Sequence, residues 1–117
     1  MEINILKSKI HRATVTEANI DYVGSITLDE DLMDAANLIE NEMVHVLNYR
    51  NGSRIITYTI KAPRGSGTVC MNGPAALLFS PGDEVIVLSY ALIDFEAGKK
   101  FNPAIVFPEA KTNKINS

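Results

Sequence analysis

The sequence predicts a small, mainly β domain that closes most easily as a barrel and carries one or two short helices. Its 117 residues leave room for one domain, and its glycines separate short runs rich in Ile, Val, Thr and Tyr. The hydrophobic fraction of 46% and the charged fraction of 21% are typical of a globular chain and exclude disorder. About six to eight strands are expected from this spacing.

The N-terminal third predicts two strands. Residues 3–16 end in an alternating segment in which Ile10 and Val15 lie among polar residues, as in a strand with one solvated face. Residues 22–28 form a second β-prone run with Gly24-Ser25 inside it. A glycine within a strand marks either a plain β-bulge or a close approach of backbones.

One helix is predicted from Asp29 onwards. Leu32 and Ile39 recur at helical spacing behind a first turn rich in carboxylates. A β-hairpin follows, because residues 43–49 and 54–61 are β-prone and flank Asn51-Gly52, a pair that adopts positive φ at both turn centres.

The C-terminal half predicts further short elements. They are a strand at 68–72, a helical turn at 74–78, a turn at 81–83, a strand covered on both faces at 84–94, an edge strand or surface loop at 101–107 around Pro103, and a frayed tail at 110–117.

Composition also excludes several classes of function. Eleven Lys and Arg against fourteen Asp and Glu give a net charge of -3, which argues against nucleic acid as a partner. The longest apolar run, residues 75–79, is far shorter than the ~20 residues of a membrane span, and no signal-peptide core follows Lys7 and Lys9. Cys70 is the only cysteine, which excludes an internal disulfide and fits the reducing cytoplasm.

Taken singly, the polar residues of the predicted strands indicate no chemistry. No metal-binding, phosphate-binding or nucleophile-elbow motif is present, and His11 and His45 lie in different strands without a matching cysteine, so no metal site is expected. Lys9 and His11 share one strand face. Each of these residues fits a strand-forming or solvated role.

Seven segments together give the chain a recognisable pattern. In order they are Lys9-Ile10-His11-Arg12 with Val15-Thr16, Tyr22-Val23-Gly24-Ser25-Ile26, Glu40-Asn41-Glu42, Asn51-Gly52-Ser53-Arg54 with Thr57-Tyr58, Arg64-Gly65-Ser66-Gly67, Asn72-Gly73 with Ala75-Ala76, and Pro81-Gly82-Asp83 before Val85-Ile86-Val87. Over nearly its whole length the chain resembles the pyruvoyl-dependent aspartate decarboxylase family. It departs from the family at Pro74, where alanine is usual, and proline removes a backbone N–H there.

The resemblance implies self-processing at the Gly24-Ser25 bond. Ser25 Oγ would attack the Gly24 carbonyl, and an ester, an elimination and the loss of ammonia would follow. The products would be a β chain of residues 1–24 and an α chain of residues 25–117 that begins with a covalent pyruvoyl group made from Ser25. No metal or external cofactor is implied. Thr57 would donate to the oxyanion at Gly24, and Asn72 is a second processing candidate.

For turnover, the resemblance implies that the pyruvoyl ketone forms a Schiff base with L-aspartate, which loses CO₂ to give β-alanine for pantothenate biosynthesis. Tyr58 would return the proton, since a phenol is protonated at neutral pH. Arg54 and Lys9 would bind the substrate carboxylates, and we expect Arg54 to hold the side-chain carboxylate because pairing the departing group would favour the ground state. The remaining expected substrate-binding residues are Thr57, Gly73, Pro74 and Ala75, with His11 and Tyr22 as candidate pocket residues.

The family fold is a six-stranded double-psi β-barrel, and its members form homotetramers with active sites between subunits. Apolar residues at 104–107 offer one surface for such pairing. Two other interpretations stay open at this stage: a non-catalytic small β-barrel that binds a ligand or partner and has lost processing, and an arrested proenzyme.

Overall fold

The computed structural model describes residues 1–115, and this part of the chain is mainly β, as predicted. Its eight strands form one mixed sheet in the order β2-β6-β3-β5-β4-β7-β1-β8. The elements are β1 (Glu2–Thr14), β2 (Glu17–Asn19), β3 (Ser25–Asp29), α1 (Glu30–Ala35), β4 (Met43–Asn48), β5 (Arg54–Ala62), β6 (Val69–Asn72), a 3₁₀ helix (Gly73–Leu78), β7 (Glu84–Asp94), α2 (Phe95–Gly98) and β8 (Ala104–Val106). Six strands have four or more residues, whereas β2 and β8 have three each.

One face of the sheet forms the core. Ile10 of β1, Val46 of β4 and Val87 of β7 are buried there, and the alternate residues of these strands point to the outer face. The prediction that residues 84–94 are covered on both faces is therefore wrong. Strand β7 spans those residues, but Leu92 is 64% exposed, because β7 is longer than the core that it covers.

The first turn of the predicted helix is confirmed, and its length is corrected. Asp29 caps α1 by accepting a hydrogen bond from the backbone N–H of Asp31. The helix ends at Ala35 because Asn37 adopts a left-handed conformation with φ of 59°. Ile39 thus lies beyond the helix and is exposed.

The predicted hairpin of β4 and β5 is also confirmed, with a different turn. Residues 49–53 form a loop in which the N–H of Gly52 donates to the carbonyl of Asn48. Gly52 alone of the Asn51-Gly52 pair has positive φ, at 72°. The loop is longer than a two-residue turn because Asn51 turns its amide to the carbonyl of Leu78.

Residues 22–28 are not one strand. A turn in which the N–H of Tyr22 donates to the carbonyl of Asn19 separates β2 from β3, and β3 begins at Ser25. The Gly24-Ser25 bond thus lies at the entrance of a buried strand rather than within one. This placement excludes a bulge in the middle of a strand.

Three predictions for the C-terminal half are confirmed: the strand at 68–72, the helical turn at 74–78 and the edge strand near Pro103, which is β8 and pairs in parallel with β1. The frayed tail is wrong for residues 110–115. Asn113 is buried and its side chain bonds to the backbone of Thr14 and Gly67, because these strand ends leave polar groups that need partners. Residues 116–117 lie outside the described residues.

None of the helices in residues 1–115 has the length and apolar character needed to cross a bilayer.

Candidate active site

Ser25 and Asn72 form a buried polar pair. Strands β3 and β6 run antiparallel, and their register sets Ser25 opposite Asn72. Asn72 Nδ2 donates to Ser25 Oγ over 2.9 Å, and Ser25 Oγ donates to the carbonyl of Val23 over 3.3 Å. Ser25 is fully buried, so its hydroxyl is held by protein groups alone. The site thus fixes a serine oxygen beside the peptide bond that precedes it.

Two glycines pack against each other at this bond. Gly73 follows Asn72 with φ of 72°, and a β-carbon built on Gly73 would lie 2.7 Å from the backbone nitrogen of Gly24. A contact this short excludes every side chain at position 73 unless the backbone moves. Gly24 itself has open space, since a β-carbon there would meet Pro74 Cδ at 3.9 Å.

A groove of about 530 Å³ runs past the Gly24-Ser25 bond. Strand β5 forms one wall and the 3₁₀ helix the other, so the groove brings together four of the predicted site residues with Gly24: Thr57, Tyr58, Pro74 and Ala75. The sequence reasoning missed three further wall residues, Ile55, Ile56 and Leu78. Alternation along β5 and the apolar run at 75–79 were signals that could have found them.

Thr57 and Tyr58 reach this groove through strand pairing. Strand β3 runs parallel to β5 with Ile26 beside Thr59, so the residues just before Thr59 flank the Gly24-Ser25 bond. Thr57 and Tyr58 are each partly buried and point to opposite faces of β5. Both residues line the groove, but Tyr58 shares its face of β5 with Arg54, whereas Thr57 shares the opposite face with Thr59.

Lys9 and His11 do not line this groove. Lys9 pairs with Leu88 of β7, which pairs with His45 of β4, and His45 pairs with Ile56 of β5. Three ladder steps of ~4.8 Å thus separate Lys9 from β5, or about 14 Å along the sheet.

His11 starts the parallel row through Ile86 and Leu47 to Arg54. His11 and Arg54 therefore lie at the two ends of this four-strand row, both on the outer face of the sheet. Burial, followed by the charges of Lys9 and Arg12, lowers the pKa of His11 below its usual value. Its Nδ1 atom is buried and finds no hydrogen-bond partner in residues 1–115.

Arg54 has a contact that the sequence reasoning missed. Its Nη1 atom lies 3.0 Å from Nδ1 of His45, whose ring packs edge-on against Tyr90 with centroids 5.3 Å apart. The sequence predicts a structural or solvated role for His45, and the cross-strand position of His45 beside the β4–β5 turn is the signal that could have found this contact. Tyr22 is mostly exposed, but its carbonyl would lie 3.0 Å from a β-carbon on Gly73.

Thr27 and Cys70 are two further polar residues that the sequence reasoning did not single out. They lie opposite each other on β3 and β6, two register positions beyond Ser25 and Asn72, and both bond to the Asn72 side chain. The two-residue period of a strand, counted from Ser25 and Asn72, was the signal that could have found them.

Metal ligation finds no support in the described residues. Residues 1–115 contain no group of three or more His, Cys, Asp or Glu side chains placed to hold an ion.

Comparison with known proteins gives a consistent result. The family model described as aspartate decarboxylase matches residues 1–116. The chain is 61% identical over 115 residues to aspartate 1-decarboxylase of Parabacteroides distasonis, covering 98% of this chain and 99% of that relative. It is 59% identical over 116 residues to the Acetivibrio thermocellus protein of the same name, covering 99% and 92%. For the Porphyromonas gingivalis protein, again aspartate 1-decarboxylase, identity is 56% over 115 residues, with 98% of each chain covered.

Proposed function

Because the chain belongs to the aspartate decarboxylase family and is an aspartate 1-decarboxylase, we propose that it works with a pyruvoyl group made from its own Ser25. The substrate is L-aspartate, and the products are CO₂ and β-alanine, which the family supplies to pantothenate biosynthesis. The observation that supports this proposal best is the pair of hydrogen bonds by which Asn72 Nδ2 and the carbonyl of Val23 hold the buried Ser25 Oγ.

The first step is self-cleavage. Ser25 Oγ attacks the carbonyl carbon of Gly24, the C–N bond breaks, and the new ester joins the two residues through oxygen. Elimination then removes the α-proton of residue 25 and breaks its Cβ–Oγ bond, which forms a Cα=Cβ double bond and frees the Gly24 carboxylate. Water adds to the unsaturated residue 25, and ammonia leaves. The missing β-carbon of Gly24 keeps the attack path open, and the 0% exposure of Ser25 limits competing hydrolysis of the ester.

Thr57 and Asn72 assist this step. Thr57 shares the groove with Gly24, and its hydroxyl would donate to the oxygen that gains charge at the Gly24 carbonyl. Asn72 already donates to Ser25 Oγ, so its N–H stabilises charge on that oxygen both when it attacks and when it leaves. The two donors therefore stabilise charge on two different oxygens, the Gly24 carbonyl oxygen and Ser25 Oγ.

The pyruvoyl group, once formed, supplies an electron sink for the pair released with CO₂. Tyr58 lines the same groove and donates the proton that the α-carbon then requires. Gly73, Pro74 and Ala75 bind the substrate through close backbone contact. Arg54 holds the side-chain carboxylate of aspartate, and Lys9 supplies a second positive charge.

We propose a homotetramer whose active sites lie between subunits. Lys9, His11 and Arg54 share the outer face of the sheet, where the unpartnered Nδ1 of His11 suits a second copy. Apolar side chains that cover much of this face are also exposed in one chain, including Ile56, Leu92, Ile105 and Phe107. Packing this face against a second groove would bring Lys9 and His11 of one chain toward Ser25 of another.

The cytoplasm is the proposed location. Cys70 is a free and buried thiol, which suits a reducing compartment. The net charge of -3 supports a protein without nucleic acid as a partner.

Mass spectrometry of the purified protein tests the proposal. We expect one fragment ending at Gly24 and a second that is lighter than a peptide starting with Ser25 by the mass of ammonia. Ser25→Ala should give one uncut, folded chain without β-alanine production. Ser89→Ala is the matched control, since Ser89 is also buried, and it should cut normally. An active protein consisting only of uncut chains would overturn the proposal; an uncut, inactive one would favour the non-catalytic or arrested alternatives.

A further inference from the structure

The Asn72 side chain uses all of its hydrogen-bonding groups. Its Nδ2 atom donates one hydrogen to Ser25 Oγ and the other to Thr27 Oγ1, each over 2.9 Å. Its Oδ1 atom accepts from the Cys70 thiol over 3.2 Å. An amide has two donors on one end and an acceptor on the other. Ser25 gives its hydrogen to the carbonyl of Val23 and the thiol accepts only weakly, so Ser25 and Cys70 distinguish the two orientations, whereas the Thr27 hydroxyl holds the amide in either one.

The four residues form two adjacent cross-strand pairs on one face of β3 and β6. Ser25 lies opposite Asn72, and Thr27 lies opposite Cys70. The residues at positions 25, 70 and 72 are buried, and Thr27 is partly buried. Water therefore has little access to replace a lost partner, so the loss of any one bond leaves a buried polar group unpaired at a cost in free energy.

We propose that Thr27 and Cys70 are positioning residues for self-processing, because together they hold the Asn72 amide with one N–H directed at Ser25 Oγ. This inference rests on the proposed function, in which Ser25 attacks Gly24. It assigns to the Thr27–Cys70 pair a role in the rate of maturation.

Rotation of the amide by half a turn would reverse its effect. Asn72 Oδ1 would then face Ser25 Oγ. This oxygen would repel the negative charge that Ser25 Oγ gains as it attacks, and it would accept a hydrogen bond that holds the proton on the hydroxyl. The Cys70 thiol opposes this rotation because it donates to Oδ1 and accepts only weakly. Burial, followed by the charge of the Glu17 carboxylate and a hydrogen bond to it, raises the pKa of the Cys70 thiol and favours the protonated form. The 3.2 Å contact with Asn72 Oδ1 is the geometry by which this thiol acts on the amide.

Two pairs of variants separate positioning from packing. Cys70→Ser keeps a donor, whereas Cys70→Val keeps apolar volume and loses the donor. Thr27→Ser keeps the hydroxyl, whereas Thr27→Val keeps the shape and loses it. A residue that only packs would favour valine over serine at a buried site, so the two hypotheses predict opposite orders.

The experiment follows cleavage of the newly made full-length chain. Radiolabelled proenzyme from cell-free translation is chased, and the first-order rate of fragment appearance is measured on gels. We expect Cys70→Ser and Thr27→Ser to cut within about twofold of wild type, and each valine variant to cut about 2-fold to 10-fold more slowly, as the loss of one hydrogen bond implies. Thermal unfolding of each variant in the uncut Ser25→Ala background identifies any that fail to fold.

The outcomes are distinguishable. If the wild-type chain never cuts, the proposed function itself fails. If it cuts and both valine variants match or exceed their serine counterparts, the positioning role is overturned while self-processing stands. If Cys70→Val does not fold, the Thr27→Val and Thr27→Ser pair alone decides, since Thr27 is only partly buried and its valine variant conserves shape.

Discussion

A β-carbon on Gly73 would lie 2.6 Å from the α-carbon of Gly24. The residue after Asn72 thus rests directly on the residue whose peptide bond precedes Ser25. The carbonyl of Tyr22 lies on the same side, 3.0 Å from that β-carbon position. The chain that approaches the bond and the segment proposed to bind substrate are therefore packed as one unit, and a change in either displaces the other.

Gly73→Ala should accordingly slow or abolish self-cleavage. The methyl group needs space that the Gly24 backbone occupies, and φ of 72° adds strain for any L residue. Cleavage on gels and thermal unfolding in the Ser25→Ala background are the measurements. Gly52→Ala is the matched control, because Gly52 has the same φ but nothing within 4 Å of its β-carbon position. Equal cleavage rates in the two variants would show that the Gly24–Gly73 contact does not shape the bond.

Tyr58→Phe should separate maturation from turnover. The phenol lines the groove but has no part in the proposed cleavage, so the variant should still cut at the wild-type rate. Loss of a general acid typically costs about 10²-fold to 10⁴-fold, and β-alanine formation should fall by that order. Tyr90→Phe, on the outer face of β7, is the control and should retain activity. Full activity in Tyr58→Phe would assign the proton to another group.

Mixed assemblies should reveal whether sites are shared. Lys9→Ala and Ser25→Ala chains are each expected to be inactive alone. If Lys9 serves the Ser25 of another copy, co-expression pairs an intact Lys9 with an intact Ser25 and restores measurable decarboxylation. Tyr58→Phe with Ser25→Ala is the control pair: Tyr58 lines the groove with Gly24, the residue that precedes Ser25 in the same chain, so mixing should not help. Lack of rescue in the first pair would place Lys9 outside a shared site.

The sequence predicted the secondary-structure elements better than the way in which these elements pair. β-prone runs and turn residues located the β4–β5 hairpin and β7, because strand propensity and turn chemistry are local properties. The pairing of Ser25 with Asn72, 47 positions later, depends on the register of β3 against β6, and no local pattern encodes that register.

The resemblance to a family supplied Asn72, but Thr27 and Cys70 became visible only when the strands were paired. The supposed frayed tail failed for a similar reason. Asn113 is polar and near the terminus, yet its Nδ2 atom donates to the backbone carbonyls of Thr14 and Gly67 and so fixes the segment to the fold.

Asp83 should make the stability of the chain depend on pH in acid. Its carboxylate accepts from Arg50 Nε and from Asn48 Nδ2, each over 2.8 Å, and the Arg50 bond is the main cause that lowers the pKa of Asp83 from 3.8 to about 2. A folded pKa below the unfolded one means that this stabilisation is fully present above pH ~4 and is lost as the pH falls toward 2. The amount is on the order of 2 kcal/mol.

Urea unfolding of the uncut Ser25→Ala chain at about pH 5 and about pH 3 measures this effect. Adding Asp83→Asn should lower the midpoint at the higher pH and flatten the pH dependence. Adding Glu109→Gln instead controls for a second carboxyl with a lowered pKa, held by Thr112 and Lys111. An Asp83→Asn chain with an unaltered pH dependence would contradict the assignment.

The hydrogen bonds of Asp83 also affect the groove, because Asn48 also donates to the carbonyl of Leu78 at the end of the 3₁₀ helix. Acid that protonates Asp83 thus loosens the wall opposite β5, and activity at low pH should fall before the fold is lost.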